Sequence, residues 1–391
     1  MFTRLSYRIL APSVRALRTN LISKQSSLCP WLTKRHFSGQ ISPYSRELNT
    51  CSSFGYEEYD NALYKVISDH KAGNNVDKAE IQQVFNHGKR LIMNGTFLWN
   101  KPSNCNVPTM INLLYLCNAY TKDFELMTQI SLHVFEAMNV MTLKQIASVC
   151  RIMLTQQDLF FRKKFRNKLT QKVLHTDIKS IDASRKPTDY DLTFEEAVNV
   201  MRAFRNVIHD YQIWLKVDLL IKNAFMTDPN VKNMSKDDLM DTINTLAYKE
   251  VQNIDTWQFL TTHLVECMMA DTLNLHDLMS ACISIKSVSV KSPELYEMLV
   301  GYFSYKEYTV EDLLKYKNTA RIIKFFNSIG TMHGSCNNEY FLTVMRDYIS
   351  HSINDFDRFQ VKISMDLFKF FVHFEDEHLK NILAERWTEL Y

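Results

Sequence analysis

The chain has 391 residues, 46 % of them hydrophobic and 12 % aromatic, with only eight glycines and eight prolines. That is enough apolar material for one long domain or two ordinary ones, and so little Gly and Pro argues against a phosphate-loop enzyme, a β-barrel or a turn-rich sandwich. Its 46 basic and 43 acidic residues give a formal charge of +3, and no run of about 18 uncharged apolar residues is present to cross a membrane.

The basic excess sits at the start of the chain. Met1 to Ser38 carries Arg4, Arg8, Arg15, Arg18, Lys24, Lys34 and Arg35 and no Asp or Glu; the first acidic residue is Glu47. Apolar residues such as Leu5, Ile9, Leu10, Leu17 and Leu21 recur among the basic ones. An Arg-rich, Ser-rich, acid-free segment has the composition of an organelle transit peptide, and it lacks the unbroken apolar core of a secretory signal. Arg35-His36-Phe37-Ser38 suits a matrix protease, so residues 1–37 are expected to be a mitochondrial transit peptide cleaved after Phe37, and the protein to reside in the mitochondrial matrix. Removing them leaves 39 basic residues against 43 acidic, a formal charge of −4. Bulk positive charge is therefore no argument for nucleic-acid binding.

After a flexible segment at 38–54, the pattern is helical. Residues 55–105 read as an N-terminal helical cap: Tyr56 to His70, a break at Gly73-Asn74-Asn75, then Ala79 to Met93. Val107 to Tyr120 and Phe124 to Met138 form a helical hairpin. Residues 106–352 then carry degenerate repeats. Five helix starts share one construction: a bulky apolar residue, a cap at Thr142, Thr193, Ser235, Asn274 or Thr309, and Gln, Glu or Asp three residues later. This is the capping box or its shorter-chain variant, and the residues at the fourth position (Ile146, Ala197, Leu239, Leu278, Leu313) complete a hydrophobic staple.

Cap-to-cap distances are 51, 42, 39 and 35 residues, each interval holding a second helical pattern, and His175 to Asp191 is an inserted loop in the longest. Helix pairs of this length cannot bury their apolar faces alone and must stack. Gly330-Thr331-Met332-His333-Gly334 is expected to be an inter-helix turn. Residues 353–391 are expected to be C-terminal capping helices, Phe356 to Phe374 and His378 to Leu390. The fold class is all-α, an α-solenoid of stacked antiparallel helix pairs.

Chemistry-bearing motifs are missing. No nucleophile elbow, phosphate loop, dinucleotide fingerprint, zinc-protease helix or EF-hand loop is present, and none of the eight cysteines forms a Cys-x-x-Cys pair. His373, Glu375, Asp376, Glu377 and His378 make a ligand-like group, but a solvated helix face explains them, as it does His209-Asp210. No catalytic residue, cofactor or metal site is expected.

The distinctive feature is electrostatic. Residues 161–186 carry Arg162, Lys163, Lys164, Arg166, Lys168, Lys172, Lys179, Arg185 and Lys186, opposed only by Asp177 and Asp182, for a local charge of +7. Lys164, Lys168 and Lys172 fall at i, i+4, i+8, beside an apolar stripe of Phe161, Phe165, Leu169 and Val173. One side of that helix can pack while the other presents a basic rail, which suits RNA phosphates, an acidic protein partner, or plain solvation. Tyr211 and Trp214, if exposed, would favour RNA by base stacking.

A presequence followed by degenerate helix pairs resembles the mitochondrial heptatricopeptide and octotricopeptide proteins, in particular the FAST-kinase-like family and subunits of RNA-editing substrate-binding complexes. The resemblance covers roughly 106–352 and rests on elements such as MTLKQIASVCRIM, LTFEEAVNVMRAF, MSKDDLMDTINTLA and LNLHDLMSACISI. It carries no base-reading positions, and the chain has no clear C-terminal RAP domain. It implies a right-handed solenoid acting as an RNA-binding protein or adaptor in mitochondrial RNA processing, stability or ribosome assembly. Its partners would be mitochondrial RNA and the proteins of a ribonucleoprotein or other large assembly. The alternative is a non-enzymatic structural subunit of a respiratory or ribosomal complex.

Overall fold

Helix caps set the rhythm of the chain. In the computed structural model, which describes residues 56–93, 107–120, 124–154, 159–179, 191–205, 210–288, 290, 292–332, 336–371 and 376–390, every regular element is helical. The first six helices are α1 (Tyr56–Lys71), α2 (Lys78–Met93), α3 (Val107–Tyr120), α4 (Phe124–Ala137), α5 (Leu143–Leu154) and α6 (Leu159–His175). They are followed by α7 (Phe194–Phe204), α8 (Tyr211–Thr227), α9 (Lys236–Tyr248), α10 (Ile254–Met269), α11 (Leu275–Ser287) and α12 (Pro293–Tyr305). The last five are α13 (Val310–Leu314), α14 (Thr319–Met332), α15 (Glu339–Ser352), α16 (Arg358–Phe370) and α17 (Glu377–Glu389).

The five anticipated caps all form. The Thr193 hydroxyl accepts from the Glu196 backbone N–H at 3.2 Å while the Glu196 carboxylate accepts from the Thr193 N–H at 2.9 Å. Thr142 and Gln145 exchange the same pair of bonds, as do Asn274 and Asp277. Ser235 accepts from the Asp238 N–H. Each satisfies donors that a helix N-terminus otherwise leaves orphaned. Met141 and Ile146, which staple α5, are both buried.

Helices alternate between two layers. In the first, which we call layer A, α1, α3, α5, α7, α9, α11, α14 and α16 pack each against the next. In layer B, α2 packs on α4, α6 on α8, α8 on α10, α10 on α12 and α12 on α15. Most A helices also pack on the B helix that follows, as in α3 with α4, α7 with α8 and α9 with α10. The result is a stack of helix pairs with one hydrophobic cluster running from Tyr59 to Leu383.

The turn after α1 uses Gly73, at φ 76°, whereas three later return turns do without glycine. Glu250, Asp271 and Glu307 adopt φ of 56°, 55° and 50°. Each ends a Schellman turn: the Val251, Thr272 and Tyr308 N–H groups reach back to Leu246, Cys267 and Phe303 carbonyls.

Two expectations are corrected. Thr309 does open a capping box with Asp312, but it heads only the five-residue α13. The next A helix is α14, capped by Asn318, whose side chain accepts from the Arg321 N–H at 3.1 Å. The A-helix caps therefore run Thr142, Thr193, Ser235, Asn274, Asn318 and Asp357, at intervals of 51, 42, 39, 44 and 39 residues. Gly330, Thr331 and Met332 lie inside α14 rather than in a turn; His333 and Gly334 fall outside the described residues. A Cβ on Gly330 would lie 3.0 Å from Phe371 and 3.1 Å from Phe370, so the glycine permits close packing of α14 against the end of α16. Residues 1–37 and 38–54 also fall outside the described residues.

Candidate functional site

Helix α6 carries the proposed rail, and its apolar stripe is where the spacing puts it: Phe165, Leu169 and Val173 are buried. Two lysines of the rail point to a neighbouring helix. The Lys168 ammonium donates to the Phe135 carbonyl at 3.0 Å and lies 4.1 Å from the Phe135 ring centroid. Lys172 donates to the Asn139 carbonyl at 2.9 Å. Phe135 lies in the last turn of α4 and Asn139 in the turn just beyond it, where carbonyls lack intrahelical partners and the helix dipole attracts cations. The device recurs one pair later: Lys216 on α8 donates to the Leu174 and Thr176 carbonyls, each at 2.6 Å, closing the C-terminus of α6. These lysines join successive B helices.

Lys163 is exposed and Arg166 half-buried on α6. Lys179 is exposed and pairs loosely with Asp177 at 3.8 Å. The side chains of Arg162 and Lys164 lie outside the described set, as do residues Arg185 and Lys186. Of the two aromatics considered beside the rail, Tyr211 is 63 % exposed whereas Trp214 is 2 % exposed and belongs to the core. Lys249 lies over the Trp214 ring at 5.2 Å and over the Tyr248 ring at 5.0 Å, and burial lowers its pKa.

Polar links join each A helix to the next from α5 through α14. Arg151 meets Glu195 at 2.8 Å. Arg202 meets Asp238 and Asp241, both at 2.8 Å, and Arg205 shares Asp241 at 2.9 Å. Burial opposes the charge on Arg202, but the two carboxylates more than offset it and raise its pKa. Lys236 meets Asp277 at 2.9 Å, and Ser284 donates to Asn244 at 2.8 Å. The last link, Arg321 to the Ser280 hydroxyl, has no carboxylate. Burial lowers the pKa of Arg321. Arg321 was not among the residues the sequence singled out; the signal available was Arg321 and Lys324 at i, i+3.

The acidic groups weighed for chemistry have structural work. Asp210 caps α8 through the Gln212 N–H, and Asp376 caps α17 through the Leu379 N–H. Glu377 pairs with Lys380 at 2.7 Å. His209, His373 and Glu375 fall outside the described residues. Cys117, Cys150, Cys282 and Cys336 are buried, and burial pushes the Cys150, Cys282 and Cys336 thiols up. Among the described residues, no group of three His, Cys, Asp or Glu side chains is placed to hold a metal ion, and no helix is long and apolar enough to cross a membrane. No protein-family model and no curated protein sequence matches the chain.

Proposed function

We propose that the chain is a helical-repeat RNA-binding or adaptor protein of the mitochondrial matrix, without catalysis of its own, serving RNA processing, stability or ribosome assembly. The observation that carries the reading is the two-layer stack. Successive A helices lie side by side, and links spaced 36 to 44 residues apart in sequence hold them in register. An extended, periodic ligand fits a surface of repeated parallel helices better than a single closed pocket would. The acid-free, Arg-rich segment at 1–37 supports the address. Lys163, exposed on α6, is a cation the caps leave available to phosphate.

The test is fluorescence anisotropy of the mature chain with single-stranded RNA across a salt series. Binding that weakens linearly in log–log salt is expected, and R162E/K163E/K164E reduces it. A wild-type chain that binds no RNA at low salt refutes the reading.

The second reading, a structural subunit of a respiratory or ribosomal complex, is favoured by apolar exposure at the helix ends. Ile254, Met269, Tyr305 and Tyr248 are 81, 80, 72 and 70 % exposed, which suits contact with protein. Stable co-purification with such a complex, without RNA contact, selects it.

A further inference from the structure

Helix α13 interrupts the alternation of layers. Inserted between α12 and α14, it lines an open pocket of about 240 Å³ at the start of α11, with Asn274, Leu275, Tyr308, Asp312, Lys315 and Tyr316 around it. That volume is below the roughly 300–1,000 Å³ of sites for drug-sized ligands and suits one planar ring. Leu275 is buried; Tyr308 and Tyr316 are half-buried aromatic walls. Asp312 pairs with the exposed Lys315 at 2.7 Å and accepts from the Thr309 N–H, and the carboxylates of Asp271 and Asp277 also lie near Tyr308.

The pocket adjoins the unmatched cation of layer A. The Tyr316 ring stacks on His276, centroids 6.3 Å apart at 26°. Burial and the nearby Arg321 guanidinium hold His276 below its ordinary pKa. Arg321 donates to Ser280, one turn from His276 on α11. Arg151, Arg202 and Arg205 each meet a carboxylate on the next A helix. Arg321 meets none among the described residues, and neither does exposed Lys324 one turn along α14. An unmatched arginine beside a tyrosine-walled pocket repels a basic peptide and attracts an anion that carries a ring.

We propose that this pocket binds one nucleotide of a single-stranded RNA, its base against Tyr308 and Tyr316 and its phosphate at Arg321 and Lys324. The proposal rests on the RNA reading above and locates a contact for it. Stacking supplies sequence-tolerant affinity and the cations supply salt dependence.

The experiment uses the mature chain and a 4-thiouridine-substituted single-stranded RNA, with crosslinked peptides mapped by mass spectrometry and affinities measured by anisotropy. Crosslinks are expected within residues 308–324. Y316A and R321Q are expected to weaken binding about tenfold or more, K324E to weaken it and lower its salt slope, and K232E, exposed elsewhere, to leave it unchanged. K324E alters a solvent-exposed side chain, so it remains informative if Y316A folds poorly; melting curves identify that case. RNA bound equally by all variants, with crosslinks elsewhere, overturns this site and leaves the RNA reading standing. Wild-type protein that binds no RNA overturns both. Binding of an acidic peptide lost in the same variants, with no RNA bound, replaces the nucleotide with a protein partner.

Discussion

Replacing Lys168 with methionine keeps the side-chain stem and removes the ammonium. Three interactions go with it: the bond to the Phe135 carbonyl at 3.0 Å, the approach to the Phe135 ring at 4.1 Å, and a positive charge at the C-terminal end of α4. A hydrogen bond involving a charged group contributes about 1.5–3 kcal/mol when buried. A cation over an exposed ring contributes about 0.5–1 kcal/mol, and a charge at a helix terminus about 0.3–1 kcal/mol. These act on one half-buried ammonium, do not add, and are screened by water, so the expected loss is about 1–2 kcal/mol. The assay is hydrogen exchange on the final turn of α4 and residues 138–141, whose amides should exchange about 5–30-fold faster in K168M. RNA affinity should not change. Unaltered exchange at α4 together with lost RNA binding would refute the assignment of Lys168 as a cap and restore it to a phosphate-contacting rail.

Other perturbations separate other parts of the account. Glu250 occupies a left-handed turn position at φ 56°, so E250G should stabilise by up to about 0.5 kcal/mol after the entropy of the unfolded chain is counted, and E250V should destabilise by about 1–2 kcal/mol in urea denaturation. Asp218 is buried, with one carboxylate oxygen unpartnered and the other accepting from Asn253 at 2.6 Å. Burial raises its pKa above 3.8, against the pull of the Asn253 hydrogen bond and the charge of Lys222. Its contribution is therefore largest below that value and is lost as pH rises through the folded pKa. D218N should melt higher than wild type at pH 7, and the gap should narrow toward pH 4. His133 shifts the other way: burial lowers it from 6.5 to about 4. Its contribution is complete above pH 6.5 and falls as pH drops toward 4, by at most about 3 kcal/mol before solvent screening. Chemical denaturation across that range should show H133Q with the flatter profile.

Much of the architecture was legible because caps are local. Thr142, Thr193, Ser235 and Asn274 each sit three residues before their partner, and that short-range chemistry recurs at the head of an A helix. Thr309 satisfied the same pattern and heads only α13, since a cap fixes where a helix begins and leaves its length to packing. Helix α14 was missed because its cap, Asn318, has Arg321 at the position searched for an acid or Gln. Gly330, which looks like a breaker, is there for the approach of Phe371. The fate of the rail was illegible for a different reason. Periodicity places Lys168 and Lys172 on one side of α6, but their acceptors lie 33 residues away on another helix. Only the stacking of B helices reveals that this side faces a neighbour. The Tyr308–Tyr316 pocket is likewise made by an insertion that no repeat spacing announces.

The central claim is contact with RNA in the mitochondrion. The most direct measurement is ultraviolet crosslinking of the tagged chain in isolated mitochondria, with denaturing purification and sequencing of attached RNA. The account predicts discrete mitochondrial transcripts covalently retained on the protein, reduced by R321Q. Protein recovered free of RNA, and held instead within an intact respiratory or ribosomal complex, would contradict it.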